Sequence, residues 1–255
     1  MPVDAEGLID LQQLEDAIRP TTILIAVMYA NNEIGVLQPI PAVSNIARKH
    51  GVLFFTDATQ AVGKVPVDVN KDGIDLLTLS AHKLYGPKGI GALYVRRRNP
   101  RVRLTAQMDG GGHEKGMRSG TLNVPAIVGL GRAAALCAAE MQKDATHTAS
   151  LRDRLESGIL AIEGAHINGS RTHRLPQTTN ISFSHIDGQA LWRDSARISP
   201  FPPAPPAPPP PWNPAMCSRR WASATTWPIA ASASDSAAGP PKRKLTTRSK
   251  ESATK

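Results

Sequence analysis

The residues able to do chemistry stand at the ends of apolar runs. Lys83 closes the run DLLTLSAHK (75–83), three residues after Ser80 and one after His82. Asp57 follows VLFFT, and Asn32 follows TTILIAVMYA (21–30). An amine at such a place is a nucleophile toward a carbonyl. A carboxylate beside it can keep a ring nitrogen protonated, and Ser80 and His82 bring two donors suited to a phosphate. The stretch Gly86-Pro87-Lys88-Gly89 lets the backbone leave tightly. Taken singly, each has an ordinary explanation. A lysine at a strand end is usually a solvated surface residue, and Asp57 alone reads as a cap or turn. In order, with Asn32, Gln60, Ser80 and His82, they describe one crevice.

An amine nucleophile next to a fixed carboxylate and phosphate donors is what pyridoxal 5'-phosphate requires. The lysine forms an imine with the cofactor aldehyde. The carboxylate holds the pyridine nitrogen protonated, so the ring draws electrons.

The elements that must position these groups alternate. TTILIAVMYA (21–30), VLFFTDAT (52–59), DLLTLSAHK (75–83) and GIGALYVRR (89–97) read as strands, the first buried on both faces. PIPAVSNIARKHG (39–51) has a Pro start, helical spacing and a Gly stop. NVPAIVGLGRAAALCAAEMQ (123–142) and SLRDRLESGILAIEG (150–164) read as two further helices, and NISFSH (180–185) as a last strand. The alternation predicts an α/β fold with a mostly parallel sheet. In such sheets ligands bind outside the carboxyl ends of the strands.

Composition narrows the function classes. The formal charge of +9 is uneven. Residues 195–255 hold nine Lys or Arg against two Asp or Glu, a net of +7, which leaves +2 for residues 1–194. A nearly neutral body has no electrostatic footprint for nucleic acid. Cys137 and Cys217 are too few for a disulfide framework. No apolar run is expected to reach the length of a membrane span, and the first residues have neither the basic start nor the apolar core of a signal peptide. Cys137, in an Ala-rich segment, reads as a small core residue. His113 reads as a loop-ordering group, with a catalytic base as the alternative, and Arg118 as a loop, dimer or anion contact. His173 and His185 lack metal-ligand spacing.

The strings NNEIGVLQPI (31–40), DATQAVGKVPVDV (57–69), SAHKLYGPKGIGALYVRRR (80–98) and GGGHEKGMRSGTLNV (110–124) resemble the cysteine desulfurases of iron–sulfur cluster assembly. These are class V aminotransferases of pyridoxal-phosphate fold type I. The likeness runs from Pro2 to about Leu191. It implies Lys83 as the Schiff-base lysine and Asp57 as the pyridinium partner. It implies Gln60 near the ring hydroxyl, Asn32 near ring and substrate, and Ser80 and His82 on the phosphate. Thr121 would reach the phosphate of a partner subunit, hence a homodimer. It further implies L-cysteine as substrate, an iron–sulfur scaffold or other sulfur-acceptor protein as partner, and a cytoplasmic or mitochondrial setting. On this reading residues 1–140 are part of the cofactor-binding large domain and 141–192 the start of a small C-terminal domain. The family's N-terminal phosphate loop and ring-stacking histidine are not expected in this chain.

Residues 193–255 break the pattern. PFPPAPPAPPPPWNP (200–214) is Pro-rich and PKRKLTTRSKESATK (241–255) is basic, a composition that suits disorder. Read one base out of register, the same codons permit the family's small-domain loop, SSGSACTSASLEP. Trp212-Asn213 must then give Glu, Met216-Cys217 Val, Trp221-Ala222 Gly and Trp227-Pro228 Ala, each where the family has it. The tail is therefore expected to be a frameshifted translation beginning between Leu191 and Ile198. Ala207 stands at the place of the persulfide-forming cysteine, and Cys217 is a by-product of the shift. Little desulfurase activity is expected of the chain as written, since an alanine methyl forms no thiolate. Two other readings are a selenocysteine lyase of the same family and a binding protein using its Pro-rich basic tail.

Overall fold

The computed structural model describes residues 1–186. The Pro-rich and basic segment, with Ala207 and Cys217, lies outside the described residues.

Four strands form one sheet in the order β1 (Leu24–Met28), β2 (Leu53–Asp57), β3 (Leu76–Ser80), β4 (Gly91–Val95). The first three run parallel and β4 antiparallel, so the expected α/β architecture with a mostly parallel sheet stands. Between β1 and β2 lies α2 (Ile40–Lys49), preceded by a short α1 (Leu11–Asp16) whose N-cap Asp10 accepts from the backbone N–H groups of Gln12 and Gln13. Such a cap satisfies two of the donors that a helix start leaves open. Helix α2 buries Ile40, Val43 and Ala47 against Ile25, Phe54, Ala58, Ala61, Ile74 and Leu77. These apolar positions recur at helical spacing on α2 and at alternate positions on the strands, as each period requires.

The register separates the two faces. Ile25 pairs with Phe54, and Thr56 with Leu77; these side chains line the packed side. One step on, Met28 pairs with Asp57, Asp57 with Thr78 and Thr78 with Leu93. That row points to the other side. There Met28 is 36% and Leu93 51% exposed. Strand β1 was expected to be buried on both faces; among the described residues only one face is covered. The apolar run is real, but the second face meets no covering helix.

Arg96 ties β4 to the β2–β3 connection. Its guanidinium donates to the carbonyls of Val69 and Ile74 at 2.5–3.0 Å and pairs with Asp75 at 3.2 Å. Asp75 in turn accepts from the Phe54 N–H at 3.0 Å.

The segment expected as two helices is one, α3 (Val124–Ile159). Residues 143–149, KDATHTA, contain no Gly or Pro to break it, and the Thr146 and Thr148 hydroxyls donate to the carbonyls of Gln142 and Asp144. Side-chain bonds to the carbonyl four residues back let threonine sit inside a helix. The boundary expected at residues 140/141 falls within this helix. As one piece it is also long and apolar enough, by length and composition, to cross a membrane, with an 18-residue window of mean hydropathy 1.4. This corrects the expectation that no segment reaches span length. A span would place Arg132 inside hydrocarbon at a cost of roughly 2.5–3.5 kcal/mol. The N-terminal half of α3 instead packs on the α/β body. A Cβ on Gly129 would lie 2.9 Å from Pro87, and one on Gly63 would lie 3.0 Å from the Cys137 sulfur.

After α3, β5 (Ala165–Ile167) and β6 (Ile181–Phe183) pair antiparallel. Their connection folds back onto the loop after β1. The Leu37 N–H donates to the His173 carbonyl, and the Leu175 N–H to the Gly35 carbonyl. A buried bidentate pair, Arg174 on Glu156 at 2.5 and 2.8 Å, fixes this connection to α3.

Candidate active site

Asp57 and Ser80 belong to the uncovered face, at the carboxyl ends of the adjacent parallel strands β2 and β3. Sheet bonds lock the two ends together. The Tyr29 N–H donates to the Asp57 carbonyl at 2.8 Å, and the Ala58 N–H to the Thr78 carbonyl at 3.0 Å. Asp57 is exposed; its Oδ1 accepts from the Thr59 N–H at 2.9 Å, while Oδ2 takes no hydrogen bond from the described residues.

Strand β3 runs directly into a single 3-10 turn, Ala81–Lys83. The turn buries Ala81 and turns His82 and Lys83 outward. Ser80 Oγ and His82 Nδ1 lie 2.8 Å apart. Whichever atom donates, one donor remains pointing out: the hydroxyl, or the Nε2–H of the ring. The Lys83 amine takes no hydrogen bond from the described residues and stays available. Two glycines make the turn possible. A Cβ on Gly91 would meet the Leu79 carbonyl oxygen at 2.4 Å, and one on Gly86 the Ala81 oxygen at 3.0 Å. Tyr85, directly before Gly86, takes a positive φ of 63° and is 89% exposed.

Gln60 and Lys64 lie in the turns after β2. Lys64 Nζ donates to Gln60 Oε1 at 2.9 Å, and both side chains are half-buried. Burial lowers the Lys64 ammonium below the usual lysine range, and the positive charge of Lys83 lowers it further. The two amines therefore share one neighbourhood. Lys64 did not stand out in the sequence; the four-residue spacing from Gln60 directly after a site strand was the signal that could have found it.

Asn32 is exposed in the loop after β1. That loop is held by its neighbour: Asn31 Oδ1 accepts from the N–H groups of Glu33 and Ile34. Thr121 is exposed at the end of the Gly-rich loop, two residues before Asn123 caps α3, and makes no hydrogen bond to the other site residues. The structure thus gathers Asp57, Ser80, His82 and Lys83 at two strand ends, sets Gln60 beside them, and leaves Thr121 on a separate loop. His113 and Arg118 belong to that loop; Arg118 donates to the Ser119 carbonyl. Cys137 is half-buried, not fully buried; burial and nearby Asp144 and Glu140 raise its thiol pKa, which keeps it protonated. Among the described residues no cluster of metal-ligating side chains exists.

Comparison with known proteins adds the family. The chain is 56% identical over 189 residues to the cysteine desulfurase IscS of Neisseria meningitidis serogroup A, covering 74% of this chain and 46% of that protein. It is 54% identical to the mitochondrial cysteine desulfurase of Saccharomyces cerevisiae, covering 74% of this chain and 38% of that one. It spans less than half the length of either relative. Among solved structures, a NifS-like protein superimposes with a TM-score of 0.71 at 40% identity, over 75% of this chain and 52% of that one. The family model for aminotransferase class V matches residues 1–193, and the chain belongs to that family.

Proposed function

We propose that the chain is the central part of a pyridoxal-phosphate cysteine desulfurase, which in complete form takes L-cysteine to L-alanine and leaves the sulfur as a persulfide on a protein cysteine. The observation that carries this is the open row at the ends of β2 and β3, with an unpaired carboxylate oxygen on Asp57 and a free amine on Lys83. The resemblance to cysteine desulfurases at 54–56% identity supports the substrate class.

The donor set fits the cofactor. Asp57 keeps one oxygen uncommitted for a cationic ring nitrogen, and the Ser80–His82 pair keeps one donor uncommitted for a phosphate. Pyridoxal phosphate, when bound, supplies an aldehyde and an electron-accepting ring. Lys83 contributes its amine as nucleophile and then as carrier of a proton at Nζ. Asp57 would hold a protonated ring nitrogen with the carboxylate oxygen that Thr59 leaves uncommitted. Gln60 and Asn32 orient the ring and the substrate. Thr121, standing off on its own loop, serves the phosphate of a partner subunit in a homodimer. An iron–sulfur scaffold or another acceptor protein would receive the sulfur. The division into a partial large domain (1–140) and the start of a small domain (141–192) belongs to this reading. A cytoplasmic setting follows the bacterial relative; the yeast relative supplies the mitochondrial alternative. A selenocysteine lyase is disfavoured by the desulfurase relatives.

Titrating the purified chain with pyridoxal phosphate tests the proposal. A visible absorbance band is expected in the parent, to be lost in Lys83→Ala and weakened about tenfold or more in Asp57→Ala, which removes a charge-assisted contact. Equal binding by all three would refute it.

A further inference from the structure

Resting on that reading, we propose that Lys64 is a positioning residue that fixes which end of the Gln60 amide faces the cofactor. An ammonium carries three donors and no acceptor. Facing Lys64 at 2.9 Å, Gln60 must present Oε1 to it. Its NH2 group is then turned away, and it has no acceptor among the described residues. A half-buried donor held without a partner beside Lys83 suits an oxygen that carries negative charge, such as an ionised ring hydroxyl. Without Lys64 the amide is free to flip and offer its oxygen there, which would repel that charge.

The placement is built into the local fold. Lys64 follows Gly63, whose positive φ of 80° turns the chain under α3, with Cys137 3.0 Å from where a Cβ would stand. The Lys64 N–H donates to the Ala61 carbonyl at 3.0 Å, so the turn itself sets the side chain four residues from Gln60. Lys64 is partly withdrawn from water and is repelled by Lys83. It holds its place because Gln60 accepts from it.

The test uses the full chain and four variants, Lys64→Met, Lys64→Arg, Gln60→Ala and the Gln60→Ala/Lys64→Met double variant. Lys64→Met keeps length and removes the donor. It is expected to weaken pyridoxal phosphate binding about tenfold, the scale of one hydrogen bond to a charged group. Lys64→Arg, also donor-only, is expected to restore binding to within about threefold. In a Gln60→Ala background, Lys64→Met is expected to change nothing further. In the 15N-labelled chain without cofactor, the Gln60 side-chain amide resonances are expected to move in Lys64→Met and stay near the parent position in Lys64→Arg. Unchanged binding in Lys64→Met, an equal loss in the Gln60→Ala background, or unmoved Gln60 resonances would each overturn the assignment. If the parent takes up no cofactor on Lys83, the proposed function fails instead, and the resonances alone judge the Lys64–Gln60 contact.

Discussion

Lys83 is set apart by its place, on the turn that ends β3 and next to His82. Its amine, like those of Lys71, Lys88, Lys115 and Lys143, has no hydrogen-bond partner among the described residues, whereas Lys49 is paired with Glu15 and Lys64 with Gln60. The sequence made Lys83, Asp57, Ser80 and His82 legible because strand ends in a parallel sheet converge, and short apolar runs mark those ends well. Lys64 was illegible because a lysine among turns looks like any solvated lysine. A second residue gives a test independent of the cofactor. Tyr29 is buried, and its hydroxyl donates to Asp72 Oδ2 at 3.2 Å. Burial first, then the Asp72 charge, raises its pKa from 10.0 to about 12. A folded-state pKa above the unfolded value stabilises fully below about pH 10 and is lost as pH rises toward 12. Far-ultraviolet circular dichroism followed upward from neutral pH should show loss of structure in that window. Tyr29→Phe should reduce the pH dependence there while costing about 1 kcal/mol from the lost hydrogen bond.

At the scale of elements, the loop bearing Asn32 depends on contacts far along the chain. Gly35 takes a φ of 73°, and a Cβ there would stand 2.6 Å from the Thr178 Cβ. Gly35→Ala should therefore detach the 173–178 segment from this loop and lower the thermal midpoint, at a cost above 1 kcal/mol from backbone strain alone. Glu156 is 3% exposed, and its carboxylate is held below the usual range by Arg174, against the opposing effect of burial. Glu156→Ala leaves the buried Arg174 with only the exposed Asp153 carboxylate, 3.9 Å away, as a charge partner, which should cost about 3 kcal/mol in denaturant unfolding. Neither contact was visible in the sequence, since nothing local marks a pairing 18 residues apart, as for Glu156 and Arg174, or one as distant as Gly35 and Thr178. The strands were legible from their apolar runs and bounding glycines. The length of α3 was not, because KDATHT is polar and Thr-rich and imitates a loop. Thr146→Pro discriminates the two readings: in a continuous helix it should cost about 3 kcal/mol, whereas a loop would tolerate it.

At the scale of the whole molecule, one sheet face is open among the described residues, and the site lies on it. On that face Leu24 is 37%, Met28 36% and Leu93 51% exposed. Apolar area of this kind marks interaction surfaces or promotes aggregation, so the isolated chain should self-associate in size-exclusion chromatography. Residues 194–255 lie beyond the family match, which ends at residue 193. Cutting the chain after Trp192 should leave its circular dichroism and its cofactor uptake unchanged, which would separate a by-product tail from a functional one. The central claim is that Lys83 is the amine that holds pyridoxal phosphate. Incubating the full chain with the cofactor, reducing with borohydride and mapping the peptides by mass spectrometry should find the pyridoxyl group on Lys83. Label spread over surface lysines, or concentrated on another residue with Lys83 unmodified, would contradict it.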